Sequence, residues 1–271
     1  MKKISVFIIF ISLLSISCFD SHKKEGNILK GAIEFNTSQV PDVSEAIPTN
    51  QKSFDSIKSG LNFKPASDYN KTKQEIAAIR KDLNDFYQTE HSSQKKEVTL
   101  DSAMHYFTTS LLNDIIPYWY GTAWDFNGYT NIPNQGEIAC GYFVSTTLKH
   151  MGLRLNRYRM AQQASKLEVE SIAIQKNKVI VSNEKNISEK LKELQEGLYI
   201  VGLDNHVGYI YIHNKVSYFI HSSYITDRVM IELTSESNAF PSSVYYMTSI
   251  TDNRIVAKKW LLGETLKIKT Q

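Results

Sequence analysis

Hydrophobic positions along the chain follow four regimes. An apolar run from Val6 to Ile16, interrupted only by Ser12 and Ser15, follows Met1, Lys2 and Lys3 and stops at Ser17 and Cys18. These 11 residues are too few to cross a hydrocarbon core of about 30 Å as a helix. With a basic start and a small residue before the break, 1–17 reads as a secretory signal. From Phe19 to about Ala66 the chain is polar and aperiodic and carries Pro41, Pro48 and Pro65, so 18–66 is expected to be a flexible tether. Helical spacing then sets in. Ile76, Ile79, Leu83 and Phe86 share one face between Asn70 and Thr89, and Thr99 can cap a second helix to about Ile115, before Pro117. These make a helical extension at about 70–115.

Gly121–Gln135 reads as a polar loop, GTAWDFNGYTNIPNQ, and Ile138–His150 as a helix with Phe143, Val144, Thr147 and Leu148 facing inward. Lys149 and His150 occupy its last turn, where the helix dipole favours cations. A helix at Arg157–Glu170, a strand at Lys178–Val181 and a helix at Ile187–Gln195 follow. Period two takes over at Gly197, in the short runs LYIVGL, HVGYIYI, VSYFIHSS and VMIEL, rich in β-branched and aromatic residues. Helices first and an antiparallel meander after predict an α+β domain over 67–271.

Composition narrows the chemistry. The 271 residues carry 31 basic and 28 acidic side chains, a net charge of +3, with both signs interspersed. That gives no nucleic-acid footprint. Two cysteines, Cys18 and Cys140, exclude a disulfide scaffold and a Cys-rich zinc site. The histidines and acids show no zinc spacing, and no metal or cofactor is expected.

Cys140 stands at the start of its helix, where unpaired amides and the dipole stabilise a thiolate. A buried structural thiol would suit the same position. His206 opens one strand and His221 closes the next. If the hairpin turns on His213 and Asn214, Ile212 pairs with Lys215, Ile210 with Ser217, Gly208 with Phe219 and His206 with His221. A nucleophile, a base and an orienting imidazole would then converge.

At these residues the chain resembles the NlpC-type cell-wall cysteine peptidases, which have a papain-like fold. PYWYGTAWDFNG, ACGYFV, HVGYIYI and FIHSS are similar to the family's signature blocks, over roughly Ile115–Ile225. The resemblance implies Cys140 as nucleophile, His206 as general base, His221 as its orienting partner, and Tyr118 at the place of a tyrosine near the oxyanion. Gln135, five residues before the cysteine, resembles the glutamine that precedes the nucleophile in the papain family proper, one residue closer. Its amide or the Cys140 backbone N–H could donate to an oxyanion; Gln135 also suits a turn before Gly136, and Tyr118 also suits core packing. The chain departs from the family at Ala139 and Gly141, where the family has Asp and Ser. The 66 residues from Cys140 to His206 leave room for an insertion within Arg157–Gln195.

The expected activity is hydrolysis of an amide bond in a peptidoglycan stem peptide, through a thioacyl enzyme and a Cys-His-His triad. An inert wall-binding or assembly lipoprotein of the same fold, and a thioester-using acyltransferase, are the alternatives. Ser17-Cys18 resembles the lipobox of bacterial lipoproteins, with Leu14 one place further out than the family's leucine. That resemblance implies a lipid on Cys18 and attachment to the membrane of the cell envelope; ordinary signal cleavage is the alternative. Metabolic labelling with a fatty acid checks this: Cys18→Ser is expected to lose the label and the membrane association together.

Overall fold

The helical extension begins at a cap. In the computed structural model, which describes residues 60, 61, 63, 65, 68–174, 180–183 and 187–271, the Asp68 carboxylate accepts from the Asn70 and Lys71 amides and opens α1, Tyr69–Thr89. The signal, Cys18 and most of the tether lie outside the described residues. Leu61 is buried, and the Phe63 ring centre lies 5.7 Å from that of Tyr120, so packed chain begins before residue 67.

Helix α2, Ser93–Ser110, starts at Ser92 and not at Thr99. Ser92 takes the Lys95 amide, and nothing in SQKKEV breaks a helix, so the earlier cap prevails. Thr99 lies inside, its hydroxyl donating back to the Lys95 carbonyl at 2.9 Å. The helix widens into a π turn at Leu111–Ile115 and tightens into a 3-10 turn at Ile116–Trp119, where Pro117 has no N–H to continue the ladder.

Helix α3 is Cys140–His150. In place of one helix at Arg157–Glu170 there are two, α4 (Arg157–Ala161) and α5 (Ser165–Ile172). The break comes from the sheet: the Ser165 hydroxyl donates to the Leu203 carbonyl, and a Cβ on Gly202 would stand 2.7 Å from the Ser165 oxygen. Helix α5 therefore starts afresh, seated on a glycine.

The remaining elements are β1 (Ile180–Asn183), α6 (Ile187–Glu193), β2 (Gly197–Gly202), β3 (Val207–His213), β4 (Val216–Ser223), β5 (Arg228–Leu233), β6 (Val244–Ser249) and α7 (Arg254–Leu262). They make an α+β architecture, N-terminal helices followed by a six-stranded antiparallel sheet of order β1-β6-β2-β3-β4-β5 with interspersed helices. Strand β6 and helix α7 have no counterpart in the expected elements. Strand β6 has no hairpin signal because its partners, β1 and β2, lie far back in the chain. Helix α7 closes the helical layer: the Trp260 indole donates to the Met151 carbonyl, and its ring meets Phe107.

The sheet is covered on both faces. On one, α3 lies on β3, with Tyr209 sharing a hydrogen bond with Thr147 at 2.8 Å and its ring against Phe143. On the other, Ile187 and Leu191 of α6 join Val201, Ile210, Phe219, Phe240 and Met247 in a second core. Among the described residues no helix is long and apolar enough to cross a membrane.

The β3–β4 register differs from expectation. The turn falls on Asn214 and Lys215, both at positive φ, and His213 pairs with Val216 and Ile212 with Ser217. Two left-handed residues fit the twist of a hairpin, and asparagine adopts that conformation more readily than most residues. Glu196 secures it, accepting from the Asn214 amide and facing the His213 ring at 3.2 Å. His206 is thus not directly opposite His221. The register has moved by two places, an even number, so both stay on one face.

Helix α1 is fastened through His150. The Trp119 indole can only donate, and it donates to the Tyr69 hydroxyl at 2.8 Å. That hydroxyl in turn donates to His150 Nδ1 at 2.8 Å, leaving Nε2–H for Asn131 Oδ1 at 3.1 Å. His150 is therefore neutral and not a helix-end cation: burial first, then Lys73, Arg157 and Lys149, lower its pKa from 6.5 to about 3. A base whose folded pKa is depressed contributes its stability fully above the unfolded value and loses it as pH falls toward the folded one. Denaturant midpoints are expected to drop between pH 6.5 and about 3, with a slope up to about 1.4 kcal/mol per pH unit from this group. His150→Gln should flatten that slope.

Candidate active site

The loop before Cys140 is bound to the sheet at both ends. The Gly121 amide donates to the Val229 carbonyl at 2.9 Å and the Val229 amide to Thr122 at 2.8 Å, while the Trp124 amide reaches Asp227. The Ile138 amide returns to Ala123, and the Ala139 amide to Gly128 at 2.8 Å. Gly128 has to be glycine, since a Cβ there would stand 2.6 Å from the Glu137 backbone. The buried Ser222 of β4 donates to the Ile138 carbonyl at 2.6 Å. The residues leading into α3 are thus held on β4.

Ala139 is the N-cap of α3 and supplies no side-chain cap, so Cys140 is the first helical residue of an uncapped turn. The sulfur sits among backbone donors instead: the N–H groups of Val207, Gly141 and Cys140 itself all favour its anion. They do not prevail. Burial, and then repulsion from Glu168, push the thiol from 9.0 up to about 11. The helix N-terminus was expected to yield a thiolate; at rest the thiol keeps its proton, because desolvation outweighs the dipole.

The Val207 contact puts Cys140 beside the residue that follows His206. The His206 Nε2 and His221 Nδ1 atoms are 2.8 Å apart, and His221 Nε2 lies 3.0 Å from Glu232 Oε1. The carboxylate can only accept, so His221 carries its proton on Nε2 and offers the Nδ1 lone pair. His206 then donates Nε2–H to it. Its own Nδ1 is left as an unprotonated, buried nitrogen with no hydrogen-bond partner, Cys140 included. Both rings are neutral: burial, with some repulsion from His221, holds His206 well below the usual histidine range, and burial lowers His221 against the opposing pull of Glu232.

Packing fixes the rings as well as the protons. Phe219 stacks on His221 with ring centres 4.0 Å apart, and Tyr224 meets His206 edge-on at 5.2 Å. Gly208 lies between them. A Cβ there would stand 2.7 Å from Phe219, 2.8 Å from the Ile220 carbonyl and 3.0 Å from the His221 Cβ. The absent side chain lets His206 reach diagonally to His221.

Glu232 was not among the expected site residues. Its signal is a charged residue within VMIEL; β4–β5 pairing sets Phe219 against Glu232 and His221 against Met230, which puts the acid on the histidine face. The Tyr118 hydroxyl lies 2.9 Å from Thr72 Oγ1 and its ring 4.8 Å from that of Tyr69, contacts that dock α1. Gln135 is exposed in a turn before Gly136, its carbonyl accepting from the Thr130 hydroxyl at 2.6 Å. Among the described residues no group of three or more His, Cys, Asp or Glu side chains is placed to hold a metal ion.

Comparison of the chain with protein-family models, with curated proteins and with solved structures gives no match in any of the three. The chemistry of the site therefore rests on its own geometry: a thiol at a helix start, beside a strand that opens on a tautomerically defined base. Gly208→Ala is expected to cost about 1–3 kcal/mol in a denaturant melt through overpacking. The same substitution should move the histidine ring resonances of an NMR spectrum more than those of α1.

Proposed function

We propose that the chain is a cysteine hydrolase of the cell envelope, a peptidase or amidase with an NlpC-like, papain-type catalytic domain. The observation that carries this reading is the relay His206, His221, Glu232 with an unpartnered Nδ1 at its open end, adjoining the amide that meets Cys140. An unpaired buried nitrogen is costly to keep for packing alone. It is the feature a general base requires.

His206 Nδ1 takes the Cys140 proton, and the sulfur attacks the amide carbonyl. The positive charge on His206 is stabilised by its hydrogen bond to His221, which the Glu232 carboxylate orients in turn. First-turn amides of α3, uncapped at Ala139, can donate to the developing oxyanion. The imidazolium then gives its proton to the leaving amine, and water, deprotonated by His206, cleaves the thioacyl enzyme. The resting thiol and imidazole are both neutral, so proton transfer accompanies substrate arrival; contacts of this kind tighten on substrate binding.

The substrate class, a peptidoglycan stem peptide, follows from the resemblance and from the export signal, with a lipid on Cys18 holding the domain to the envelope. A second reading has support of its own: a thiol pushed up to about 11 suits an inert wall-binding scaffold. Incubation with purified muropeptides, followed by mass spectrometry, separates the two. Cys140→Ala is expected to abolish cleavage with its melting curve retained, and Glu232→Gln to lower kcat by at least about tenfold through loss of the fixed tautomer. Undiminished cleavage by Cys140→Ala would sink the hydrolase reading.

A further inference from the structure

Glu168 lies beneath the nucleophile and is not used by the mechanism above. It belongs to α5, is 2% exposed, and its Oε2 has no hydrogen-bond partner. Its Oε1 stands 2.8 Å from where a Cβ on Gly141 would be, and the Ala161 carbonyl stands 2.8 Å from the same point. Any side chain at 141 would therefore displace the carboxyl. The departure at Gly141 and the position of Glu168 are one arrangement: the first turn of α3 seats on a carboxyl group next to the reactive residue.

We infer that Glu168 is a positioning residue for Cys140, a buried carboxyl that has to carry its own proton for the thiolate to form beside it. Cys140 passes its proton to His206, and the Glu168 proton stays in place throughout. When the carboxyl is ionised, a second negative charge in the neighbouring first turn of α3 is opposed and the thiol remains neutral. Two further observations agree: burial holds Glu168 well above the usual carboxylate range, and its repulsion is the second cause of the raised Cys140 thiol. The titratable groups coupled to it are Cys140 on α3 and Tyr209 on β3; Tyr209 keeps its proton, burial holding its phenol above the ordinary range. An alkaline limb in thiol reactivity is thus built into the α3–α5 contact.

The inference rests on Cys140 as the reactive group, and the test reads the thiol and not turnover, so the two can fail separately. Peptide-resolved mass spectrometry follows iodoacetamide labelling of Cys140 against pH in the full chain, as wild type, Glu168→Gln and Glu168→Asp. Glu168→Gln is expected to shift the curve to lower pH and to label about tenfold faster on its alkaline slope, with Glu168→Asp between. Superimposed curves from folded variants would overturn the inference. If Glu168→Gln does not fold, Glu168→Asp decides: drawing the carboxyl back by one methylene should still move the labelling curve to lower pH. An unchanged curve from folded Glu168→Asp would count against it equally.

Discussion

The pairing of β3 with β4 governs the site. With the turn on Asn214 and Lys215, Val216 to Ile220 each acquire a fixed partner on β3, and the same register carries His221 to the Gly208 position, diagonal to His206. A slip of one place would send an imidazole through the sheet to the face covered by α3. Strand β5 adds the next step, because the same alternation puts Glu232 on the face of His221. Ser222, on the opposite face of β4, holds the Ile138 carbonyl and so the entry to α3. One strand thus carries His221 on one face and holds the entry to the helix that begins at Cys140 from the other. The two approach each other where β3 begins, at the Val207 amide.

The electrostatics of the site are a contest between burial and backbone dipoles. Helix starts favour thiolates when water or a cation helps, but here Cys140 is half-buried, desolvation raises its thiol, and a carboxyl lies against the same turn. The histidines are buried likewise, and burial keeps them neutral despite Glu232. A pair resting as thiol and imidazole stores no charge in the core and avoids the desolvation cost of an ion pair. The Glu232 carboxylate, its side chain 15% exposed, accepts from His221 at 3.0 Å.

Much of the architecture was legible in local pattern. The α1 stripe, the α3 face and the strands from Gly197 to Leu233 depend on periodicity and turn chemistry within a few residues, and they stand within a residue or two of expectation. Errors arose where distant chain intervened. Ser165 starts a new helix because Leu203 offers a carbonyl; β6 exists because β1 and β2 leave edges for it; His150 is neutral because Tyr69 and Asn131 occupy both nitrogens. At the site, Cys140, His206 and His221 stood out by residue type and by place at element ends. Glu232 and Glu168 did not, since an acid in a strand or on a short helix reads as a solvated charge until its neighbours are known.

By itself the sequence determined the α1 and α3 helices and the strands from Gly197 to Leu233, that the thiol begins a helix, and that the histidines bracket a hairpin. These follow from backbone propensities and side-chain period, which are local. The tertiary structure alone decided protonation and partnership: which imidazole nitrogen is free, which carboxyl meets His221, and which one lies against the first turn of α3. Those depend on desolvation and on hydrogen bonds between residues tens of positions apart, and the chain acquires both only when it folds.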